Sequence, residues 1–324
     1  MSFVHDDPEF AALLTQVSAE TGIAAALVEK DYWITHSLWA LHETELAIWF
    51  KGGTSLSKGF GIIERFSEDL DLMIERGGVT SLHEVTNWAS TNKGPTAQRH
   101  AFYEGLPAAF AIPGVSVEFD AQRQDKYARA ADYIGRYPGA HLMGLPSAIS
   151  PFVRFEVGRA RVVPFAPMPL TSFVHDHLAQ LGMTDDYVDN RPRTVRCVHP
   201  IVTLLEKLDA LSRRYNRQAI EADGFVRHYE DAARIIRALD RLPPIDTSAL
   251  ALAEDMLAEK GIAALPSADD PSLVLDEPDK RVSVERAYEK IAPMFWGPRI
   301  ALDEACAMIR EWVAAVRVTL PGPS

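Results

Sequence analysis

The sequence predicts a mixed α/β fold up to about residue 195 and an all-helical region after it. Three observations carry this. Short apolar runs ended by turn residues alternate with helical periodicity in the first part. From His199-Pro200 onward the apolar positions recur only at helical spacing. The length of 324 residues suits two domains at about 150 residues each. The boundary is expected near Asn190-Arg191-Pro192-Arg193, dividing the chain into 1–195 and 196–324. There is no internal repeat.

In chain order, the first 45 residues read as helix, with Leu27, Ile34, Leu38 and Leu41 on one face. Leu46-Ala47-Ile48-Trp49-Phe50 reads as a buried strand stopped by Gly52-Gly53, after which Thr54 or Ser55 can cap a short helix to about Arg65. Ser67 to Glu75 alternates as a second strand, and Thr80 to about Phe110 looks helical. Residues 115–120 and 152–157 are further strand candidates. The polar stretch between them, about Gln122 to Ser150, is rich in Gly and Pro and reads as loop or irregular strand. Pro200 is a plausible first residue of a helix carrying the stripe Ile201, Leu204, Leu205, Leu208 and Leu211. A second helix covers about Phe225 to Leu239, a Pro- and Asp-rich loop lies around 266–279, and terminal helices include Ile300 to Val316.

Composition bounds the function. With 47% hydrophobic and 24% charged residues, the chain is an ordinary globular one. Its net charge of −12 makes a nucleic-acid binder a poor first guess, since phosphate contacts need Lys and Arg. Cys197 and Cys306 form neither a zinc pattern nor a disulfide framework. No run of 18 apolar residues exists, and the acidic N-terminal stretch lacks the marks of a signal peptide, so a cytoplasmic protein without membrane contact is expected.

The strongest chemical signal is Lys51-Gly52-Gly53-Thr54-Ser55-Leu56 followed by Arg65-Phe66-Ser67-Glu68-Asp69-Leu70-Asp71-Leu72. On a strand, residues i and i+2 point the same way, so Asp69 and Asp71 project together while Leu70 and Leu72 enter the core. Two carboxylates held that close repel, and a hard divalent cation such as Mg²⁺ resolves the conflict. The Gly-Gly turn lets a phosphate approach the backbone of the helix that follows. It is no Walker P-loop, because no second Gly-Lys is present. A lone Asp-x-Asp is ordinarily a solvated face. The succession of strand, Gly-Gly-Thr/Ser, helix and Asp-x-Asp strand is far more specific, and it resembles the polymerase-β-like nucleotidyltransferases. A third carboxylate is expected on a neighbouring strand: Glu156, with Glu118 and Asp120 competing and a plain ion pair to Arg154 or Arg159 as the bland alternative.

In the helical part, Lys207 and Arg214 lie at the edge of the apolar stripe and Asp209 on the opposite flank. Arg227, Asp231 and Arg234 share a face of the next helix and could complete a cationic wall around Asp231, or be salt-bridged solvent faces.

Four segments occur in order: Lys51 to Leu56, Arg65 to Asp71, Lys207-Leu208-Asp209-Ala210-Leu211-Ser212-Arg213-Arg214, and Arg227-His228-Tyr229-Glu230-Asp231. With Glu29-Lys30-Asp31-Tyr32-Trp33, they resemble the AbiEii/AbiGii-type nucleotidyltransferase toxins, which include the MenT group. The likeness spans roughly residues 25 to 240. It implies a nucleotidyltransferase palm followed by a helical domain, a type IV toxin–antitoxin role, a helix-turn-helix antitoxin as partner, and nucleotide transfer from an NTP, in some members to the tRNA 3′ end. By the same likeness, Gly52, Gly53, Thr54, Ser55, Ser67 and Lys51 belong to the nucleotide-binding turn, and Asp69 and Asp71, with Glu156, hold Mg²⁺. Lys207, with Arg214, is a triphosphate ligand, and Asp231 is the aspartate of the last motif. Glu156 or Asp231 would accept the proton of the attacking hydroxyl.

The charge is uneven. Residues 191–237 hold ten Arg and Lys against six Asp and Glu, a net of +4, whereas residues 240–290 hold six against twelve, a net of −6. A polyanionic substrate therefore remains possible, with RNA contact local to Lys207, Arg213 and Arg214 and weak at high salt. An acceptor that is a protein or small molecule, and a non-catalytic nucleotide-binding module, are the alternatives.

Overall fold

A computed structural model describes residues 1–67, 69–146 and 149–318, which fall into two compact units. The first comprises 1–59, 67–160 and 166–197, and the second 60–66, 161–165 and the chain from Val198 on.

The first unit is built on a mixed seven-stranded sheet of order β3-β4-β5-β2-β1-β7-β6. Its elements are α1 (Phe10–Thr21), α2 (Ala25–His42), β1 (Ala47–Lys51), α3 (Gly52–Thr54), β2 (Asp69–Glu75), α4 (Lys93–Phe110), β3 (Ser116–Phe119), β4 (Ala130–Arg136), β5 (Val153–Gly158), β6 (Phe165–Met168), α5 (Phe173–Gln180) and β7 (Val195–Val198). β2 runs antiparallel to β1 and parallel to β5, and β4 runs antiparallel to β5. On β2, Leu70 and Leu72 are fully buried while Asp69 and Asp71 stay half-buried on the opposite face, as the alternation predicts. Phe110 of α4 packs on Tyr133 and Phe155 beneath the sheet. Fifteen of the 18 residues of α2 are buried, so this helix is core on nearly every side.

Three expectations are corrected here. The helix after β1 begins at Gly52 and ends in a π-helical turn, Ser55–Gly59, well before Arg65. The Thr54 hydroxyl does not cap it. It donates to the carbonyls of Ser67 (3.1 Å) and Asp69 (2.6 Å), tying the turn to the start of β2. The helix expected from Thr80 starts at Lys93, because side chains in the preceding stretch satisfy its backbone instead: Asn87 accepts from the amides of Ala89 and Ser90, and Ser90 from that of Asn92. Inside the stretch expected as loop or irregular strand lies β4, a regular seven-residue strand burying Ala131 and Tyr133.

The second unit is helical: α6 (Pro200–Tyr215), α7 (Arg227–Ala238), α8 (Ala249–Ala258), α9 (Pro271–Val274), α10 (Pro278–Lys290) and α11 (Leu302–Val318). Pro200 occupies the first turn of α6, and the His199 ring accepts from the Ile201 amide as its cap. α7 packs against both α6 and α11. Residues 64–66 belong to this unit through a short antiparallel ladder with 294–296: the Phe66 amide donates to Met294 O (2.7 Å) and the Trp296 amide to Glu64 O (3.0 Å). Both cysteines are buried and free. Among the described residues, no single helix is long and apolar enough to cross a membrane.

Candidate active site

Strand register gathers the carboxylates of the first unit. Asp71 pairs with Glu156 and Asp69 with Arg154 across β2 and β5, and Glu156 pairs with Asp132 across β5 and β4. Paired residues share a face, so Asp69, Asp71, Glu156 and Asp132 point the same way. Asp120, just after β3, joins them through its amide bond to Asp132 O. Among the described residues, Arg154 and Arg123 pair with four of these carboxylates. Arg154 lies 3.3 Å from Asp120, 3.6 Å from Asp132 and 3.9 Å from Asp69. Arg123 lies 2.7 Å from Asp132 and 3.8 Å from Glu156. The excess negative charge shows in Glu156: partial burial, then Asp71 and Asp69, push its carboxyl up to about 7. The expected pairing of Glu156 with Arg154 or Arg159 does not form at this face: Arg159 reaches Glu75 instead, at 2.9 Å. Of the rivals for third carboxylate, Glu118 is exposed and paired with Arg136. Among the described residues no three His, Cys, Asp or Glu side chains are already closed around a metal position. The chemistry of the donors fits one all the same: hard oxygens only, in mutual repulsion, on adjacent strands.

The turn meets these carboxylates from β1. Lys51 pairs in register with Asp71, and Gly52 follows with φ +73°. A Cβ at Gly52 would fall 1.8 Å from Asp71 Oδ2, so the glycine hydrogen is the space in which that carboxylate sits. Gly53, Thr54 and Ser55 are buried in the turn. Ser67 offers its carbonyl to Thr54, as described above. Lys58 faces away from any ligand role: its ammonium is paired with Asp31 of α2.

The second unit holds the remaining expected residues. Asp231 on α7 is wholly buried, and Arg65 grips it with both arms of its guanidinium, Nε to Oδ1 at 2.8 Å and Nη2 to Oδ2 at 2.7 Å. Lys207 on α6 donates to the same Oδ2 at 2.8 Å and lies 3.4 Å from His228 Nδ1. Burial alone would raise the Asp231 carboxyl, but Arg65 and then Lys207 hold it well below the usual carboxylate range. Of the two alternatives expected for the proton acceptor, Glu156 or Asp231, Asp231 is therefore the weaker base. Lys207 is lowered by burial, with Arg65 and Arg227 pushing the same way against Asp231. His228 is lowered well below its ordinary value by burial and then by Lys207, Arg227 and Arg214. The cationic wall thus exists in part. Arg214 donates to Gly224 O, while Arg234 turns from Asp231 to Glu230 and Glu64. Asp209, expected on the far flank of α6, receives the amides of Ala263 and Ala264 and is a structural link.

Sequence reasoning gave no role to Arg65, Arg123 or Asp132. Asp132 could have been found from the alternation Ala131-Asp132-Tyr133, had the stretch been read as strand.

A sheet that brings three carboxylates to a glycine turn, in a chain that also holds a buried cationic cluster, describes an enzyme class built to handle phosphates. The sequence profile described as "Nucleotidyl transferase AbiEii toxin, Type IV TA system" matches residues 37–307, and the chain belongs to this family of type IV toxin–antitoxin nucleotidyltransferases. Among solved structures, MenT4, a nucleotidyltransferase toxin from Mycobacterium tuberculosis H37Rv, is similar at 17% identity with a TM-score of 0.45, covering 96% of this chain and 90% of that one. No curated protein matches the sequence.

Proposed function

We propose that this toxin transfers a nucleotide from an NTP to an acceptor hydroxyl, with the tRNA 3′ end as acceptor and pyrophosphate as leaving group, under the control of a helix-turn-helix antitoxin in the cytoplasm. The observation that supports this most is the placing of Asp69, Asp71 and Glu156 on one face of two adjacent strands, with Gly52 against Asp71. Asp69, Asp71 and Glu156 would hold Mg²⁺, which when bound lowers the pKa of an attacking hydroxyl and offsets phosphate charge. Gly52 and Gly53 admit phosphate oxygens close to the backbone, with Lys51, Thr54, Ser55 and Ser67 around them. Lys207 and Arg214 supply positive charge suited to a triphosphate. The acidic strand face and the net charge of −12 confine RNA contact to the basic section between 191 and 237.

The test incubates the protein with each α-³²P-labelled NTP, Mg²⁺ and total RNA. Label in tRNA that vanishes with Asp69→Ala is the expected result. Label in protein or a small molecule would replace the acceptor, and no transfer to any acceptor would overturn the reading.

A further inference from the structure

We infer that Phe152 is the stacking platform for the terminal base of the acceptor, and hence that the acceptor is a single-stranded RNA 3′ end whose last base is free to lie on the ring. The inference rests on the nucleotidyl-transfer reading above and narrows its acceptor.

Strand alternation carries Phe152 to the carboxylate face. Val153 and Phe155 of β5 are fully buried, so Arg154 and Glu156 occupy the other face. Phe152 comes just before β5 and two residues before Arg154, whose guanidinium lies 5.2 Å from the centre of its ring. That same guanidinium lies within 3.9 Å of Asp69, Asp120 and Asp132. Ring and carboxylates therefore share a neighbour and a face. From the adjoining strand β4, the Arg136 guanidinium comes 5.9 Å from the ring centre. Phe155 and Tyr133, on the opposite face, are enclosed with Phe110 in the core. Phe152 is only half-buried, and among the described residues no second aromatic ring packs against it.

Strand order decides which nucleotide meets this ring. β2, with Asp69 and Asp71, lies between β5 and β1, the strand that leads into the Gly52 turn. In phosphoryl transfer the attacking and leaving oxygens stand roughly in line on opposite sides of the phosphorus. With the phosphorus at Asp69 and Asp71 and pyrophosphate leaving towards the turn, the attacking hydroxyl comes from the β5 side. Asp69 pairs with Arg154, and Phe152 lies two residues further, about 7 Å along the strand. The ribose and base behind a 3′ hydroxyl cover that span. The base is also the uncharged part of a nucleotide, so it suits a face whose carboxylates repel phosphate. The two arginines differ in how firmly they are held. Arg154 is 16% exposed and has three carboxylates around it, whereas Arg136 is 55% exposed and meets an equally exposed Glu118 at 3.7 Å. An entering base therefore displaces Arg136 and leaves Arg154 against the ring, and the freed guanidinium can stack on the base in turn.

The experiment titrates the full chain, with Mg²⁺ and without NTP, into a short single-stranded RNA carrying 2-aminopurine as its 3′-terminal base and a dye at its 5′ end. Anisotropy of the dye reports binding, and loss of 2-aminopurine emission reports stacking. The wild type should quench the terminal base as it binds. Phe152→Ala and Phe152→Leu, the second keeping apolar bulk without a ring, should each bind about tenfold more weakly and leave the base emissive. Phe152→Trp should retain both affinity and quenching. An RNA with an abasic 3′ terminus should bind the wild type about tenfold more weakly and be indifferent to Phe152→Leu. In the transfer assay, Phe152→Leu should raise KM for RNA and leave KM for the NTP unchanged. Unaltered quenching and affinity in the folded variants overturn the inference. If no variant folds, equal affinity of the wild type for the base-ended and abasic RNAs overturns it. A rise in KM for the NTP alone overturns it too, and gives the ring to the incoming nucleotide. An RNA that does not bind the wild type, with label passing to protein or a small molecule, removes the RNA acceptor itself, a failure distinct from any loss confined to Phe152.

Discussion

Asp71 is confined from two sides, by the bare Gly52 that follows β1 and by Glu156 on β5. Each confinement makes its own prediction. Alanine at Gly52 must displace the carboxylate and also adopt φ +73°, so Gly52→Ala should lose transfer by about 100-fold or more without altering any charge. Asp71→Asn keeps the shape and removes the charge. It should lose transfer to a similar degree, yet unfold at a higher temperature than the wild type in EDTA, because the repulsion that raises Glu156 is relieved. A thermal scan beside the labelled-NTP assay checks both. An unchanged or lowered melting temperature for Asp71→Asn in EDTA would mean that Asp71 and Glu156 do not oppose each other.

At the scale of the element, α2 shows why part of the fold was hidden in the sequence. Three consecutive charged residues point in three directions around this helix. Glu29 accepts from the amides of Ala140 (2.6 Å) and His141 (2.8 Å), Lys30 donates to Ser150 O (2.7 Å), and Asp31 pairs with Lys58 while accepting from the Phe173 amide (3.1 Å). They pin the segment leading into β5 and the end of the Gly-Gly turn, which between them carry Glu156 and the phosphate-facing backbone. Asp31→Asn leaves the Lys58 ammonium buried without its counter-charge, and should cost about 3–5 kcal/mol in urea unfolding. The double variant with Lys58→Met should restore much of the loss, whereas additive losses would show that the pair does not couple. An apolar stripe announces a helix, and it did so for α2 and α6. Charged side chains, however, read by type as solvent-facing, so full burial of α2 was not legible. The i, i+2 rule sufficed to find Asp69 and Asp71 on one face, because that relation is local. The Arg65–Asp231 pair joins positions 166 apart, a relation that no periodicity encodes. β4 was obscured for a different reason: its partners on both sides, β3 and β5, make a strand of residues with weak strand propensity.

For the whole molecule, pH acts through buried imidazoles as well as through Glu156. In the first unit, Asn190 links Tyr32, His36 and His175 through bonds of 2.8–2.9 Å, and Ser172 closes the chain on His175 at 2.7 Å. Desolvation first, against the hydrogen bonds each ring makes, depresses both His36 and His175 to about 4. An unfolded chain protonates these rings near pH 6.5 and the folded one resists until near 4, so the unfolded state binds more protons in that window. Stability is therefore fully present above about pH 6.5 and is lost progressively as pH falls toward 4. At pH 5.5 the loss is about 1.4 kcal/mol per ring, or about 3 kcal/mol for the two, against almost none at pH 7.5. Glu156 acts with the opposite sign, since a carboxyl raised to about 7 in the folded state gains stability as pH falls through that value. Urea unfolding in a Glu156→Gln background isolates the imidazoles, and there the stability should drop by at least about 3 kcal/mol between pH 7.5 and 5.5, with the other depressed rings, His228 among them, adding to the loss from His36 and His175. The His36 and His175 ring resonances should stay those of neutral imidazole throughout that interval. A flat stability profile, or either ring titrating near 6.5 in the folded chain, would show that burial does not hold the two rings neutral.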